Sequence, residues 1–304
     1  MSPLTHLLGL SLCLVNYSTL VHPFPFSSSS ILMLITSLVE NISTQGLPVE
    51  HGLSLHIRLD QGRQILFDMG QRILFAENAQ RLGIHLEEVD LAVLSHGHYD
   101  HGGGLRAFFR LNSHAPMYVQ RTAFEPHYSQ RAEGLKSIGL DQDLLTGSRF
   151  RWVDQVERID EQLTLFADVQ GTCFNPPGNR LLFGPEPNQH DAFVHEQNLL
   201  ICEGNRVVLF AGCAHAGIVN ILRRAHQVAG RSITHVFAGM HLVKTGMNPA
   251  AENQFVRALA RELLTYPNIL FYTMHCTGTE AYQVLREEMG TSLDYLACGD
   301  QVHI

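Results

Sequence analysis

From Ile31 onward the chain alternates segments with the two-residue period of a strand and segments with the helical period. Ser54–Leu59 alternates apolar and polar residues, as a strand with one covered face does. The pair Gln61-Gly62 turns it into a hairpin partner, Gln64–Phe67, which ends at Asp68-Met69-Gly70. Leu91–Leu94 is a continuous apolar run, suited to a strand covered on both faces, and it leads straight into a histidine cluster. A helix over Gly103–Leu111 and a strand over Met117–Gln120 are predicted next.

The pattern weakens over 125–190. That stretch carries Pro126, Pro176, Pro177, Gly178, Pro185 and Pro187 around one weak strand at Leu163–Ala167, and it reads as an irregular insertion of the kind where selectivity is often placed. It sharpens again with a hairpin of Leu199–Cys202 and Arg206–Phe210 across Glu203-Gly204-Asn205. Ile218, Ile221, Leu222, Ala225 and Val228 fall at helical spacing, with Gly230 at the stop. Ile233–Ala238 and Ile269–Thr273 are strands. Asn248-Pro249 opens one helix, and Thr279–Met289 is the last, closed by Gly290. Strands and helices in this order predict an α/β fold with mixed sheets and helices outside, and each reactive motif follows the C-terminal end of a strand.

Composition narrows the function. The chain has 304 residues, 45% hydrophobic and 16% charged, as an ordinary globular protein has. A net charge of −8 with no basic run argues against nucleic acid as the ligand and leaves a small molecule as the expected partner. Cys13, Cys173, Cys202, Cys213, Cys276 and Cys298 form no C-x-x-C pair and no disulfide-scaffold spacing, which suits a reducing, cytoplasmic setting. Residues 1–30 read as an extension outside the core: Leu7–Val15 is too short to span a bilayer, no Lys or Arg precedes it, and Ser27–Ser30 resembles a linker. A secretory signal is the alternative reading of that stretch. The core domain is expected to be 31–304.

The chain holds 18 histidines, and the densest group is His96-Gly97-His98-Tyr99-Asp100-His101. Side chains two apart in extended backbone point the same way, so His96 and His98 can approach one cation together. Asp100 and His101 can face a neighbouring position as the chain turns into Gly102-Gly103-Gly104. Imidazole and carboxylate suit Zn²⁺, and also Mn and Fe. The glycines are either a plain turn or a close approach, placing Gly103 and its neighbours where free N–H groups would meet an anionic substrate.

The H-x-H-x-D-H run, after an apolar strand and before a glycine-led helix, resembles the metallo-β-lactamase superfamily, as does Asp68-Met69-Gly70 at a strand end. Glu50-His51-Gly52, Gly212-Cys213-Ala214-His215, Gly239-Met240-His241 and His275-Cys276-Thr277-Gly278 resemble the branch related to dihydropterin–ribofuranosylaminobenzene phosphate synthase. The resemblance implies an αββα sandwich, two β-sheets face to face with helices outside and two metal ions, zinc first, at one edge. It implies His96, His98, Asp100, His101, His215 and His275 as ligands, Asp100 and His241 at the chemistry, Asp68 supporting a ligand, and His51 and Gly103 toward substrate. Much of the superfamily has Gly-Asp where this chain has Gly212-Cys213. The bridging ligand is therefore open: Cys213 as thiolate, His215 in its place, or one weakly held metal. His190 and His195 are further donors in the irregular stretch.

The reaction expected is hydrolysis of a small phosphoester, lactone or thioester by a metal-bound hydroxide. Two alternatives stand beside it: a synthase-like transfer on the same site, with Phe124, His127, Arg131 and Lys136 as candidate wall residues, and a metal-binding sensor or scaffold without turnover.

Overall fold

A computed structural model describes residues 33–146, 149–243 and 245–304; the expected extension 1–30 lies outside the described residues. Two seven-stranded sheets make the frame. The first runs Gln301–His303, Leu34–Val39, Ser54–Arg58, Gln64–Phe67, Leu91–Val93, Met117–Gln120 and Phe150–Val153 from edge to edge. The second runs Leu293–Tyr295, Leu270–Thr273, His235–Ala238, Arg206–Ala211, Asn198–Glu203, Leu163–Phe166 and Val156–Arg158. Each is antiparallel around its hairpins and parallel toward the strands that carry the reactive motifs.

Strand alternation builds the layers. Leu199, Ile201, Val208 and Phe210 face Ile35, Leu55, Ile57, Phe67 and Val93 between the sheets. Their neighbours Leu200, Val207, Leu209 and Ala211 point the other way, onto the helices Ile218–Ala229, Pro249–Leu263 and Thr279–Met289. Leu38, Leu66, Ala92 and Leu94 do the same on the first sheet, against Phe75, Leu105 and Phe108. The result is the helix–sheet–sheet–helix sandwich, an α/β fold in which a side chain's parity along its strand decides which core it joins. Asn248 caps its helix by accepting from the Ala251 N–H at 2.9 Å, with Pro249 in the first turn. Among the described residues no helix is long and apolar enough to cross a membrane.

Two expectations need correction. The helix predicted over Gly103–Leu111 is a single turn, Tyr99–Gly102, followed by Leu105–Leu111. Gly103 and Gly104 let two backbones touch: a Cβ on Gly103 would lie 2.1 Å from the Gln71 carbonyl oxygen, and one on Gly104 2.2 Å from that of Met69. The stretch 125–190 is also more regular than expected. Phe150–Val153 and Val156–Arg158 are edge strands of the two main sheets, and Tyr128–Arg131, Gly134–Ser137 and Leu182–Phe183 form a small third sheet. These strands are short, and Gly134–Ser137 and Val156–Arg158 are largely exposed, so the apolar signal is weak; the prolines of the stretch all fall outside the strands.

Candidate metal centre

Five strand ends bring their following residues to one edge of the sandwich. Asp68 follows Phe67, Ser95-His96 follows Leu91–Val93, Cys213 follows Ala211, His241 follows Ala238 and His275 follows Thr273. Four non-glycine residues here hold left-handed backbone: Asp68 at φ +59°, Ala214 at +53°, His241 at +45° and His275 at +49°. Each such residue costs on the order of 1–3 kcal/mol, and strain of this kind concentrates at functional sites. It turns each chain sharply off its strand so that the side chains converge.

The hydrogen bonds fix where the ring protons sit. The Asp68 carboxylate, fully buried, accepts from the Ser95 N–H at 2.7 Å, the Ser95 hydroxyl at 2.7 Å and His101 Nδ1–H at 2.7 Å. Since the Ser95 proton goes to Asp68, its oxygen accepts from His96 Nδ1–H at 2.9 Å. His215 Nδ1–H donates to Asn179 Oδ1 at 2.9 Å, and the Asn179 amide is held that way round by donating to the His215 carbonyl. His275 Nδ1–H donates in the same manner to Asn41 Oδ1 at 3.0 Å, with Asn41 donating back to the His275 carbonyl. Four imidazoles thus have their protons on Nδ1, turned outward, and bare Nε2 lone pairs turned inward. His101 Nε2 and His275 Nε2 stand 3.2 Å apart, two lone pairs facing each other. His215 Nε2 is buried with no partner. Lone pairs buried in this arrangement repel one another, and a cation among the nitrogens would relieve it.

The donor atoms fall into overlapping sets. Those of His96, His98 and His215 lie within 4.8 Å of one another, as do those of His96, His101 and Cys213, and those of Cys213, His275 and Cys276. Cys213 Sγ is 3.2 Å from His101 Nε2, so the thiol stands where the sets meet. Asp100 Oδ2 is 3.5 Å from His275 Nε2 and accepts from His51 Nε2 at 3.1 Å. The donor set therefore fits two adjacent N/O/S cation positions, one around His96, His98 and His215 and one around Asp100, His101 and His275.

Electrostatics divide the donors. Burial holds His96, His98 and His215 well below the usual imidazole range, with the neighbouring histidines adding to it, so these rings are neutral at neutral pH. Burial opposes ionisation of Asp100, but the imidazoles of His275 and His51 beside it outweigh burial and hold its carboxyl well below the ordinary value. Burial also opposes the charge on His101, and the facing Asp68 carboxylate overcomes it and raises that ring. Burial pushes the Cys213 thiol up, and the neighbouring Cys276, Asp100 and Glu196 add to it.

The sequence profile described as "Metallo-beta-lactamase superfamily" matches residues 48–232, more than half of the chain. The chain belongs to the metallo-beta-lactamase superfamily. It is 26% identical over 271 residues to the 7,8-dihydropterin-6-methyl-4-(beta-D-ribofuranosyl)-aminobenzene-5'-phosphate synthase of Methanocaldococcus jannaschii, covering 82% of this chain and 88% of that protein. The crystal structure of Tm1679, described as a metal-dependent hydrolase of the beta-lactamase superfamily, superposes with a TM-score of 0.74 at 26% identity, over 90% of this chain and 99% of the other. The fold protein YhfI from Bacillus subtilis matches at a TM-score of 0.51 and 15% identity, over 90% and 99% of the two chains, a likeness of fold.

Within this metallo-beta-lactamase frame, His96, His98, Asp100, His101, His215 and His275 all come together, with Asp68 behind His101 and Cys213 between the sets. His241 joins them: its ring lies 4.4 Å from that of His215, and it lines the adjoining cavity. His51 is at the mouth, its side chain 45% exposed. Gly103 is not in the cavity; its face is taken by the Gln71 carbonyl. His190 stacks on Phe183 instead of approaching the ligands, and His195 hydrogen-bonds the loop between His96 and His98. Of the candidate wall residues, Arg131 lines the cavity, while Phe124 is packed in the core under the first sheet and Lys136 is exposed. His127, the remaining wall candidate, is not in that lining and bonds Asp191 instead. Ser95, Asn41, Asn179, Asp191 and Glu196 were not singled out from the sequence, because their role is to hold other side chains and depends on contacts 19 to 234 residues apart along the chain.

Proposed function

We propose that the chain is a metal-dependent hydrolase of a small anionic substrate. The observation that carries this reading is the set of buried, inward-facing Nε2 lone pairs of His96, His101, His215 and His275, each fixed by a hydrogen bond on the opposite side of the ring. The N, O and S donors favour zinc, with Mn or Fe as alternatives. Two such ions, when bound, would supply Lewis acidity toward a substrate oxygen and acidify a water molecule.

The chain's own residues do the rest. A cavity of about 190 Å³ opens beside the cluster, with Tyr99, Ile138, Leu182 and Val243 as an amphipathic wall. Arg131 projects from the small third sheet into that lining and makes no ion pair among the described residues, a free cation for a phosphate or carboxylate. Asp100 accepts a hydrogen bond from half-exposed His51, a route for a proton between the site and solvent. His241 Nδ1 is buried without a partner at the cavity edge, placed to hold a substrate oxygen or to protonate a leaving group.

Hydrolysis of phosphoester, lactone and thioester panels, before and after chelation and restoration with Zn²⁺ or Mn²⁺, tests the reading. Turnover unaffected by chelation would refute it. A transfer reaction on the same site is the second reading. It is favoured by Arg131, which suits a phosphate, and by the synthase named above as a relative. Formation of a pterin conjugate from an aminobenzene ribofuranoside phosphate, with no hydrolysis on the panels, would select it. Stoichiometric metal with no turnover on either assay would select the sensor or scaffold reading.

A further inference from the structure

A second group of chemistry-bearing side chains lies behind His98. Donor atoms of His98, His127, Asp191 and His195 lie within 4.8 Å of one another, and the side chains of His127, Asp191 and His195 are no more than 3% exposed. The residue types suit a cation, but the protons exclude one. The Gly97 N–H donates to His195 Nδ1 at 2.9 Å, so the His195 proton is on Nε2, where it is donated to Asp191 Oδ2 at 3.2 Å. His127 Nδ1–H donates to the same oxygen at 2.9 Å. A cation held by Asp191 and His195 would require that imidazole to lose both ring protons.

What the group leaves over is a lone pair. His127 Nε2 is bare, buried and without a partner. His98 differs from the other ligand histidines in orientation: its Nδ1, not its Nε2, faces the cluster, 3.0 Å from His96 Nε2. A cation taken on Nδ1 leaves the His98 proton on Nε2, which is also buried without a partner. The two rings stand edge to face with centroids 5.7 Å apart and donor atoms within 4.8 Å, so that a small rotation of either ring would bring the two nitrogens to hydrogen-bond length.

We propose that His127 is the acceptor for the outer ring N–H of His98, made basic by Asp191, and that this His98–His127–Asp191 chain orients His98 as a metal ligand. His127 and Asp191 are positioning residues. His195 completes the device by tying Asp191 to the Gly97 backbone between the two ligand histidines. The inference rests on the reading that His96, His98 and His215 hold a cation.

The test is zinc titration of the metal-stripped full chain against a chromophoric chelator, with thermal melting of the stripped protein alongside. His127→Leu removes the acceptor and should weaken one of two zinc sites by roughly 10- to 100-fold, leaving the other unchanged. His127→Gln offers an amide oxygen and should restore most of that affinity, which a space-filling role would not predict. Asp191→Asn should weaken the same site, and it decides the matter if His127→Leu does not fold. Wild-type affinity at both sites in His127→Leu or Asp191→Asn would overturn the inference, as would equal losses in the Leu and Gln variants. Wild-type protein that binds no zinc would overturn the metal reading itself, and the inference with it.

Discussion

Asp68→Asn isolates one atom's worth of chemistry. The backbone at residue 68 is left-handed, φ +59°, a conformation Asn tolerates well, so the exchange should leave the turn intact. The carboxylate accepts three hydrogen bonds, each 2.7 Å, and offers no donor. An amide placed there must point its NH₂ either at the Ser95 N–H or at His101 Nδ1. With the oxygen kept on Ser95, the NH₂ faces His101, whose proton then moves to Nε2. That nitrogen is the one 3.2 Å from both His275 Nε2 and Cys213 Sγ, so a cation ligand is lost. Loss of such a supporting partner costs about 10- to 100-fold in metal affinity, about 1.4–2.7 kcal/mol. The metal-free protein should lose about 1.5–3 kcal/mol as well, the range for hydrogen bonds to a charged group. Chelator-competition titration with zinc reads the first quantity and urea unfolding of the stripped protein the second. Unchanged affinity at both sites would show that Asp68 does not set the His101 proton and would refute the tautomer argument.

Other substitutions probe the scaffold. Gly97→Ala places a Cβ 2.2 Å from the Ala123 carbonyl oxygen and 2.8 Å from its carbonyl carbon and Cα, all backbone atoms, so the ligand loop must shift. We expect a stability loss of about 1–3 kcal/mol with weakened zinc binding, and normal binding would show the loop to be compliant. Phe210 is fully buried between the sheets, stacked on Phe237 at 5.0 Å; Phe210→Ala should cost about 3–5 kcal/mol in urea unfolding, and a surface-like loss would contradict the dry inter-sheet core. Glu196 accepts from the His215 and Ala216 N–H groups, yet burial pushes its carboxyl from 4.5 up to about 7. The native state therefore holds this proton longer than the unfolded chain does. Its contribution is complete below the unfolded value and is lost as pH rises through about 7, a loss of about 3 kcal/mol in the stripped protein. Glu196→Gln should flatten that limb of the stability–pH curve, and an unchanged slope would assign the titration elsewhere.

Local pattern carried the candidate ligands and most of the elements. Strand runs ending at Phe67, Leu94, Phe210, Ala238 and Thr273 are readable because burial imposes apolar periodicity, and the reactive residues follow them directly. The density of donors in His96–His101 is likewise a sequence fact. The proton map is not, because each ring's orientation is set by a partner far away in the chain: Asn179 for His215, Asn41 for His275, and Asp191 with His127 behind His98. Asn and Asp in loops look alike whether they hold a ligand or face water. Nor could the sequence decide between a turn and a substrate contact at Gly103, since a bare Cα permits both; only the Gln71 carbonyl lying against it selects close backbone packing. The edge strands within 125–190 escaped for a related reason: three or four residues are too few for a period to show, and what makes Phe150–Val153 a strand is the neighbouring Met117–Gln120 backbone that it pairs with.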